Sequence, residues 1–310
     1  MSDKVKKIVF PLICLLTAII WGSGFIFQDM GGAHPELIDG LGFTSIRFFL
    51  AGIGLIPVIL IFEREKELTK EEKKVKNKST LIFGAISGLI LALSAVLQQY
   101  GIQLTGESGK AGFITGLYLI IVPIASFIIF KQKPSVFVWI AVPISLVGLY
   151  LLSVTNGFSV QLGDLLVVLC AFGYAAQIIF IDKVGDRISA LKFSCVQFIV
   201  TGIVCFILAL IFGKISWDGI TAVIGPLLYC GFVSAGAGFT LQVVGQKHTP
   251  PTLAALIFST EGLFATIFEC IVEGKAPSLR QIIGSVLMLA AIVLSQIPRN
   301  RASEESYNTD

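Results

Sequence analysis

LQQYGIQLTGESGKA, residues 97–111, and LQVVGQKHTPPTLAA, residues 241–255, align without a gap. Leu97, Gln98, Gly101, Thr105 and Ala111 match Leu241, Gln242, Gly245, Thr249 and Ala255 at one fixed offset, an agreement that unrelated segments seldom produce. Weaker echoes flank it. RFFLAG at 47–52 pairs with QFIVTG at 197–202, and KPS at 133–135 with APS at 276–278 after a slip of one residue. The chain reads as a duplicated unit, and its fold depends on how many membrane spans each copy holds.

Composition puts the chain in a bilayer. A mean hydropathy of +0.87, with 55% hydrophobic and 14% charged residues, lies far from soluble globular proteins. Uncharged runs at 8–28, 79–106, 111–130, 134–163, 165–181, 193–213, 219–246 and 281–298 are each near or above spanning length. Asn156–Gly157 is a turn signal that closes the long fourth run near Leu152. Two further spans carry charge: 40–62 with Arg47, and 249–272 with Glu261 and Glu269. Ten spans result. The basic N-terminus precedes a 21-residue apolar run without a small-x-small cleavage site, so it reads as an uncleaved first span. Cys14, Cys170, Cys195, Cys205, Cys230 and Cys270 all fall within spans, with neither a disulfide framework nor a metal spacing.

Loop charge sets the orientation. With the N-terminus inside, inside segments hold 18 of the 23 Lys and Arg residues, outside loops hold Lys110, Lys214, Lys275 and Arg280, and Arg47 is intramembrane. Both termini are therefore expected on the cytoplasmic side of a plasma membrane. EREKELTKEEKKVKNKS at 63–79 reads as a solvated cytoplasmic connector. Five spans per copy is an odd number, so the second copy must enter the membrane from the opposite side. The expected fold is an all-α integral membrane protein of ten transmembrane helices in two inverted five-helix repeats, residues 1–153 and 154–298, followed by a cytoplasmic tail at 299–310. Inverted repeats around a central site are a transporter signature.

The candidate site follows from polar residues inside apolar spans. Glu261 lies roughly 16 Å along a helix that starts at Pro250, about half of a hydrocarbon core of roughly 30 Å. Burial disfavours its charged form, which suits proton exchange, while a structural hydrogen-bond donor between helices is the competing reading. Gln98 and Gln242 are equivalent in the repeats, as are Trp21 and Tyr174, with Gln177 one turn beyond Tyr174. With Tyr118 and Glu261 they are the expected cavity residues, although interhelical packing competes for each. Gln99 and Gln103 share a helix face, as do Gln242 and Gln246. Arg47 lies close enough to the outer end of its span to snorkel and is read as structural. Gly84 and Gly88 form a packing GxxxG, Glu269 reaches the interface, and His34 and His248 sit at helix ends.

GKAGFITGLYLIIVPIASFIIFKQKPSVFVWIAVPISLVGLYLLS at 109–153 resembles the fourth and fifth spans of the drug/metabolite transporter superfamily, in its ten-helix EamA-type branch. WGSGF at 21–25, IRFFLAG at 46–52 and ALIFSTEGLFATIFECIVEGKAPSLRQIIGSVLMLAAIVL at 255–294 resemble the same branch, so the likeness covers nearly all of 8–297. That branch usually follows the acid of its ninth span with Pro, where this chain has Gly262, which can still bend the helix. The resemblance implies transport of small metabolites, often export.

The expectation is a secondary transporter of small polar or amphipathic metabolites, amino acids or related compounds among them, working by alternating access and exporting its cargo. Protons are a candidate coupling ion. The partners expected are the small-molecule substrate and the lipid bilayer, with no nucleic acid, catalytic residue, cofactor or metal. A membrane-embedded enzyme or lipid-handling protein is the alternative. GESGK at 106–110 is not a phosphate loop, because Leu104 stands where Gly is required and Ala111 where Ser or Thr is. Gly22-Ser23-Gly24 offers a serine, but no span carries a His to act as its base.

Overall fold

The computed structural model describes residues 3–63, 69–105, 108–131, 134–153, 161–274, 276–295 and 297. The Asn156–Gly157 turn, the start of the connector at 64–68, Lys275 and the tail at 299–310 lie outside the described residues, as does the far side of the 153/154 boundary.

The first long helices are α1 (Asp3–Gly31), α2 (Gly40–Phe62) and α3 (Lys70–Thr105). A broken run follows, α4 (Ser108–Thr115) and α5 (Tyr118–Phe130), and then α6 (Val136–Ser153). Next come α7 (Leu162–Val184), α8 (Ala190–Phe212) and two short helices, α9 (Trp217–Ala222) and α10 (Ile224–Leu228). A π-helical stretch, Tyr229–Phe239, leads into α11 (Thr240–Gln246). The chain ends on a second broken run, α12 (Pro251–Phe258) and α13 (Glu261–Glu273), and on α14 (Leu279–Ser295).

Among the described residues eight helical runs are long and apolar enough to cross a membrane, which is two fewer than the sequence suggests. The two that fall short are α6 and α14, whose apolar stretches Val136–Leu152 and Leu279–Ser295 span roughly 26 Å at 1.5 Å per residue, somewhat less than a hydrocarbon core.

Polarity is arranged for lipid. Leu60, Phe62, Leu210, Phe212 and Ile271 stand exposed on the outer faces, while Gln98, Gln99, Gln197, Gln242 and Gln246 are buried between helices. In lipid the amides must find partners within the bundle, and several do. Gln99 Nε2 donates to the Gln28 carbonyl at 3.1 Å, Gln246 Nε2 to the Ile178 carbonyl at 3.0 Å, and Ser87 Oγ to Gln197 Oε1 at 2.9 Å.

Both broken runs fail at the same point of the repeat, Gly116–Leu117 in one half and Ser259–Thr260 in the other. In the second, Ser259 Oγ donates to the Leu256 carbonyl at 2.8 Å and Thr260 Oγ1 to the Ile257 carbonyl at 2.6 Å. These hydroxyls compete with the backbone ladder and open it. The bend expected at Gly262 therefore falls just before Glu261. The π stretch arises in a small-residue sequence, YCGFVSAGAGF, where few side chains resist the wider turn.

Several helix contacts recur at positions that the sequence repeat aligns. A Cβ at Gly52 of α2 would meet Ile199 Cδ1 of α8 at 2.6 Å, and one at Gly202 of α8 would meet Phe49 Cδ1 of α2 at 2.9 Å. Gly101 of α3 lies on Val167 of α7, and its counterpart Gly245 of α11 lies on Cys14 of α1. Gly84 and Gly88 let α3 approach Val196 and Val200 of α8, the packing role read for that GxxxG. At one end of the bundle Asp39 caps α2 through Gly42 N at 2.9 Å and accepts from the Tyr100 hydroxyl at 2.7 Å. An antiparallel bridge, Ile38 with Ile215, ties the same loop to the one after α8.

Candidate functional site

The two helix breaks aim at one place. Tyr118 is the first residue of α5 and Glu261 the first of α13, and the Tyr118 hydroxyl donates to Glu261 Oε1 at 2.9 Å. Glu261 is only 4% exposed, so its carboxyl is removed from bulk water. The N-terminal end of α13 offsets part of the cost of any negative charge there.

Around this pair lies a narrow central cavity of about 30 Å³, with lining side chains drawn evenly from residues 21–118 and 174–261. Three sets of partners are equivalent in the repeat: Trp21 with Tyr174, Phe25 with Ile178, and Gln98 with Gln242. The cavity is small. It has room for about two waters, so a metabolite fits only if helices separate.

One of the related polar pairs is satisfied and the other is open. The Tyr174 hydroxyl donates to Gln98 Oε1 at 3.1 Å, and Gln98 Nε2 donates to Thr115 Oγ1 at 3.3 Å. In the related pair, Trp21 Nε1 and Gln242 Oε1 are buried without a hydrogen-bond partner among the described residues. Trp21 is held by rings, with Phe239 at 4.8 Å and Phe258 at 5.4 Å between centroids. Phe239 also reaches Tyr174 at 6.2 Å, so one aromatic from the π stretch touches both related residues.

Of the expected cavity residues, Trp21, Gln98, Tyr118, Tyr174, Gln242 and Glu261 come together here. Gln177 does not. It points away from the cavity and its Nε2 donates to Gln197 Oε1 at 3.3 Å, because three residues after Tyr174 the helix face has turned toward α8. Arg47 also departs from expectation: instead of snorkelling it is 4% exposed, lines the cavity and donates to Gln28 Oε1. Glu269 is exposed on α13, His34 contacts Glu36, and the His248 ring meets Phe10 edge-on.

Gln28, Thr115, Ser234 and Phe239 line the cavity without having been read from the sequence. Gln28 sits at the end of an apolar run and Thr115 at a helix break, so both were open to suspicion as polar residues in a span. Ser234 and Phe239 were not, because the π turn shifts the register that a regular helix would give them.

The EamA-like transporter family matches the chain twice, over residues 10–154 and 161–296. An uncharacterized transporter of Archaeoglobus fulgidus is 27% identical over 296 residues, covering 94% of this chain and 87% of its own. The uncharacterized transporter YwfM of Bacillus subtilis is 24% identical over 306 residues, covering 97% and 99%. A solved crystal structure superposes with a TM-score of 0.73 over 93% of this chain and 96% of its own, at 16% identity, a likeness that speaks for the fold alone. A family match across nearly the whole sequence, joined to apolar helices of spanning length, makes this multi-pass membrane protein a member of the EamA-like transporter family.

Proposed function

We propose that the chain is a secondary transporter built from two inverted five-helix halves, residues 1–153 and 154–298, that alternates access to the cavity between them. Ten spans follow if α6 and α14 cross at roughly 26 Å by thinning the bilayer slightly. Both are strongly apolar, and they pack on each other closely enough that a Cβ at Gly148 would meet the Gly284 carbonyl at 2.8 Å. The cargo is a small polar or amphipathic metabolite, amino acids or related compounds among the candidates, and the direction is export. The protein sits in the plasma membrane with both termini cytoplasmic, the orientation that loop charge favours.

One observation carries this reading. Residues that the repeat aligns meet aligned partners where helices pack: Gly52 meets Ile199 as Gly202 meets Phe49, and Gly101 meets Val167 as Gly245 meets Cys14. Such reciprocity is what a pseudo-two-fold relation between halves produces. The paired breaks and the two successive family matches support it further. Halves that share contacts in this way can swap conformations, which opens the closed cavity to one side and then the other.

Glu261 is the proposed coupling group. Its carboxyl faces the cavity and its hydrogen-bond partner is the Tyr118 hydroxyl, and an acid inside a span is the kind of group that relays protons. Reconstitution in liposomes tests the function. Accumulation of an unmodified solute from a panel of labelled amino acids, bases, sugars and cationic drugs is the expected result, whereas release of a chemically altered product would assign the chain to membrane enzymes.

A further inference from the structure

We infer that Arg47 anchors an anionic group of the cargo, a carboxylate or comparable oxyanion, so that the transported solute is an organic anion or a zwitterion. This rests on the transporter reading and adds the chemistry of what is carried.

Arg47 is 96% buried, borders the central cavity and presents a guanidinium cation to it. Among the described residues none of its contacts is negative. Nη1 donates to the neutral Gln28 amide, the Cys230 thiol lies against it, and its cationic carbon sits 5.2 Å from the Phe48 ring centre and 5.9 Å from that of Phe43. Nε has no hydrogen-bond partner among the described residues. The other deeply buried cation among the described residues, Lys110, is equally buried and is met by Asp164 at 2.6 Å. Arg47 lacks such a carboxylate within 4 Å among the described residues, and Glu261, on the same cavity, is engaged by Tyr118.

A buried cation is costly unless something compensates it, and here the compensating charge is missing at the place where cargo binds. The planar guanidinium fork matches two-oxygen acceptors better than any other side chain. Gln242 adds a second point: its Oε1 is unpartnered on the same cavity and 1% of the residue is exposed, while the related Gln98 is satisfied by Tyr174. A solute with an anionic end for Arg47 and a hydrogen-bond donor for Gln242 would satisfy both open positions.

The test uses the full-length protein, with binding read from thermal unfolding in detergent and transport from counterflow in liposomes. The probes are leucine, phenylalanine, glutamine and lactate, each beside its amide and, where one exists, its decarboxylated amine. At least one carboxylate should bind and exchange at least tenfold better than its amide or amine. Arg47→Gln should weaken it roughly 30-fold or more, and Arg47→Lys should retain part of the affinity. Carboxylate binding that depends on Arg47 without any counterflow would keep the anchor and count against transport. Amides or amines exchanging as well as carboxylates would overturn the anchor and leave transport standing. A carboxylate held equally by Arg47→Gln, or the failure of every carboxylate to bind and exchange, would overturn it too. Where Arg47→Gln does not fold, wild-type carboxylate affinity in Arg47→Lys, which keeps the charge and loses the fork, overturns the proposal.

Discussion

Gly22→Ala adds one methyl group at the seam between α1 and α13, beside the backbone of Glu261. The new carbon would lie 2.5 Å from Phe264 Cβ, 2.7 Å from the Glu261 carbonyl oxygen and 2.8 Å from Ala265 N. Carbon contacts settle at about 3.5–4.0 Å, so the helices must part by roughly 1 Å. None of the three atoms is the far end of a side chain, and none can swing aside. Overpacking of this kind costs about 1–3 kcal/mol. The same shift carries the Glu261 carboxyl away from the Tyr118 hydroxyl, whose bond is now 2.9 Å long. Gly185 is the matched control, because nothing lies within 4 Å of a Cβ built there and its backbone is right-handed helical. We expect Gly22→Ala to lower the thermal midpoint in detergent and cut counterflow at least tenfold, with Gly185→Ala unchanged in both. If the two variants unfold at the same temperature and exchange equally fast, the close seam between α1 and α13 has no hold on the site.

Tyr174→Phe removes the 3.1 Å bond to Gln98 and should raise KM about 3- to 10-fold, the worth of one net hydrogen bond, without a change in membrane level. Gln242→Ala should weaken cargo affinity as well, and unchanged kinetics in both variants would place the binding face elsewhere. Asp39→Ala strips the cap of α2 and the Tyr100 contact, for an expected loss of about 0.5–2 kcal/mol in thermal or denaturant unfolding; wild-type stability would show that this end of the bundle does not depend on the carboxylate. In a background without the six native cysteines, an impermeant thiol reagent on intact cells should label a cysteine at Gly32 and spare one at Lys76, and the reverse pattern would invert the orientation.

Much of this architecture was written in the sequence because lipid makes composition informative. Long uncharged runs had to be helices, and the polar residues inside them had to face one another, so Gln98, Gln242, Tyr118, Tyr174 and Glu261 are legible as a group, and the fold places them around one cavity. What periodicity misled was direction. Gln177 lies one turn from Tyr174 in sequence, yet the face it occupies belongs to α8 and Gln197. Arg47 is near enough to a span end to suggest snorkelling, and the buried rings of Phe43 and Phe48 with the Gln28 amide hold it inward instead. Ser234 and Phe239 were beyond reach, since they owe their placement to a π turn that no regular repeat announces. The helix breaks were half visible: Gly116 and the Ser259–Thr260 pair are readable breakers, while their convergence on Tyr118 and Glu261 is a tertiary fact.

The most direct test of the account is proton-driven accumulation by Glu261→Gln in liposomes with an imposed pH gradient. The amide keeps the size of the side chain and can still accept from Tyr118, and it removes only the exchangeable proton. The account predicts a variant that inserts at normal levels and still exchanges cargo for cargo across the bilayer, but no longer accumulates it against a gradient when protons are the only driving force. Full pH-driven accumulation by Glu261→Gln would contradict it and leave the buried acid as a hydrogen-bonded tie between helices.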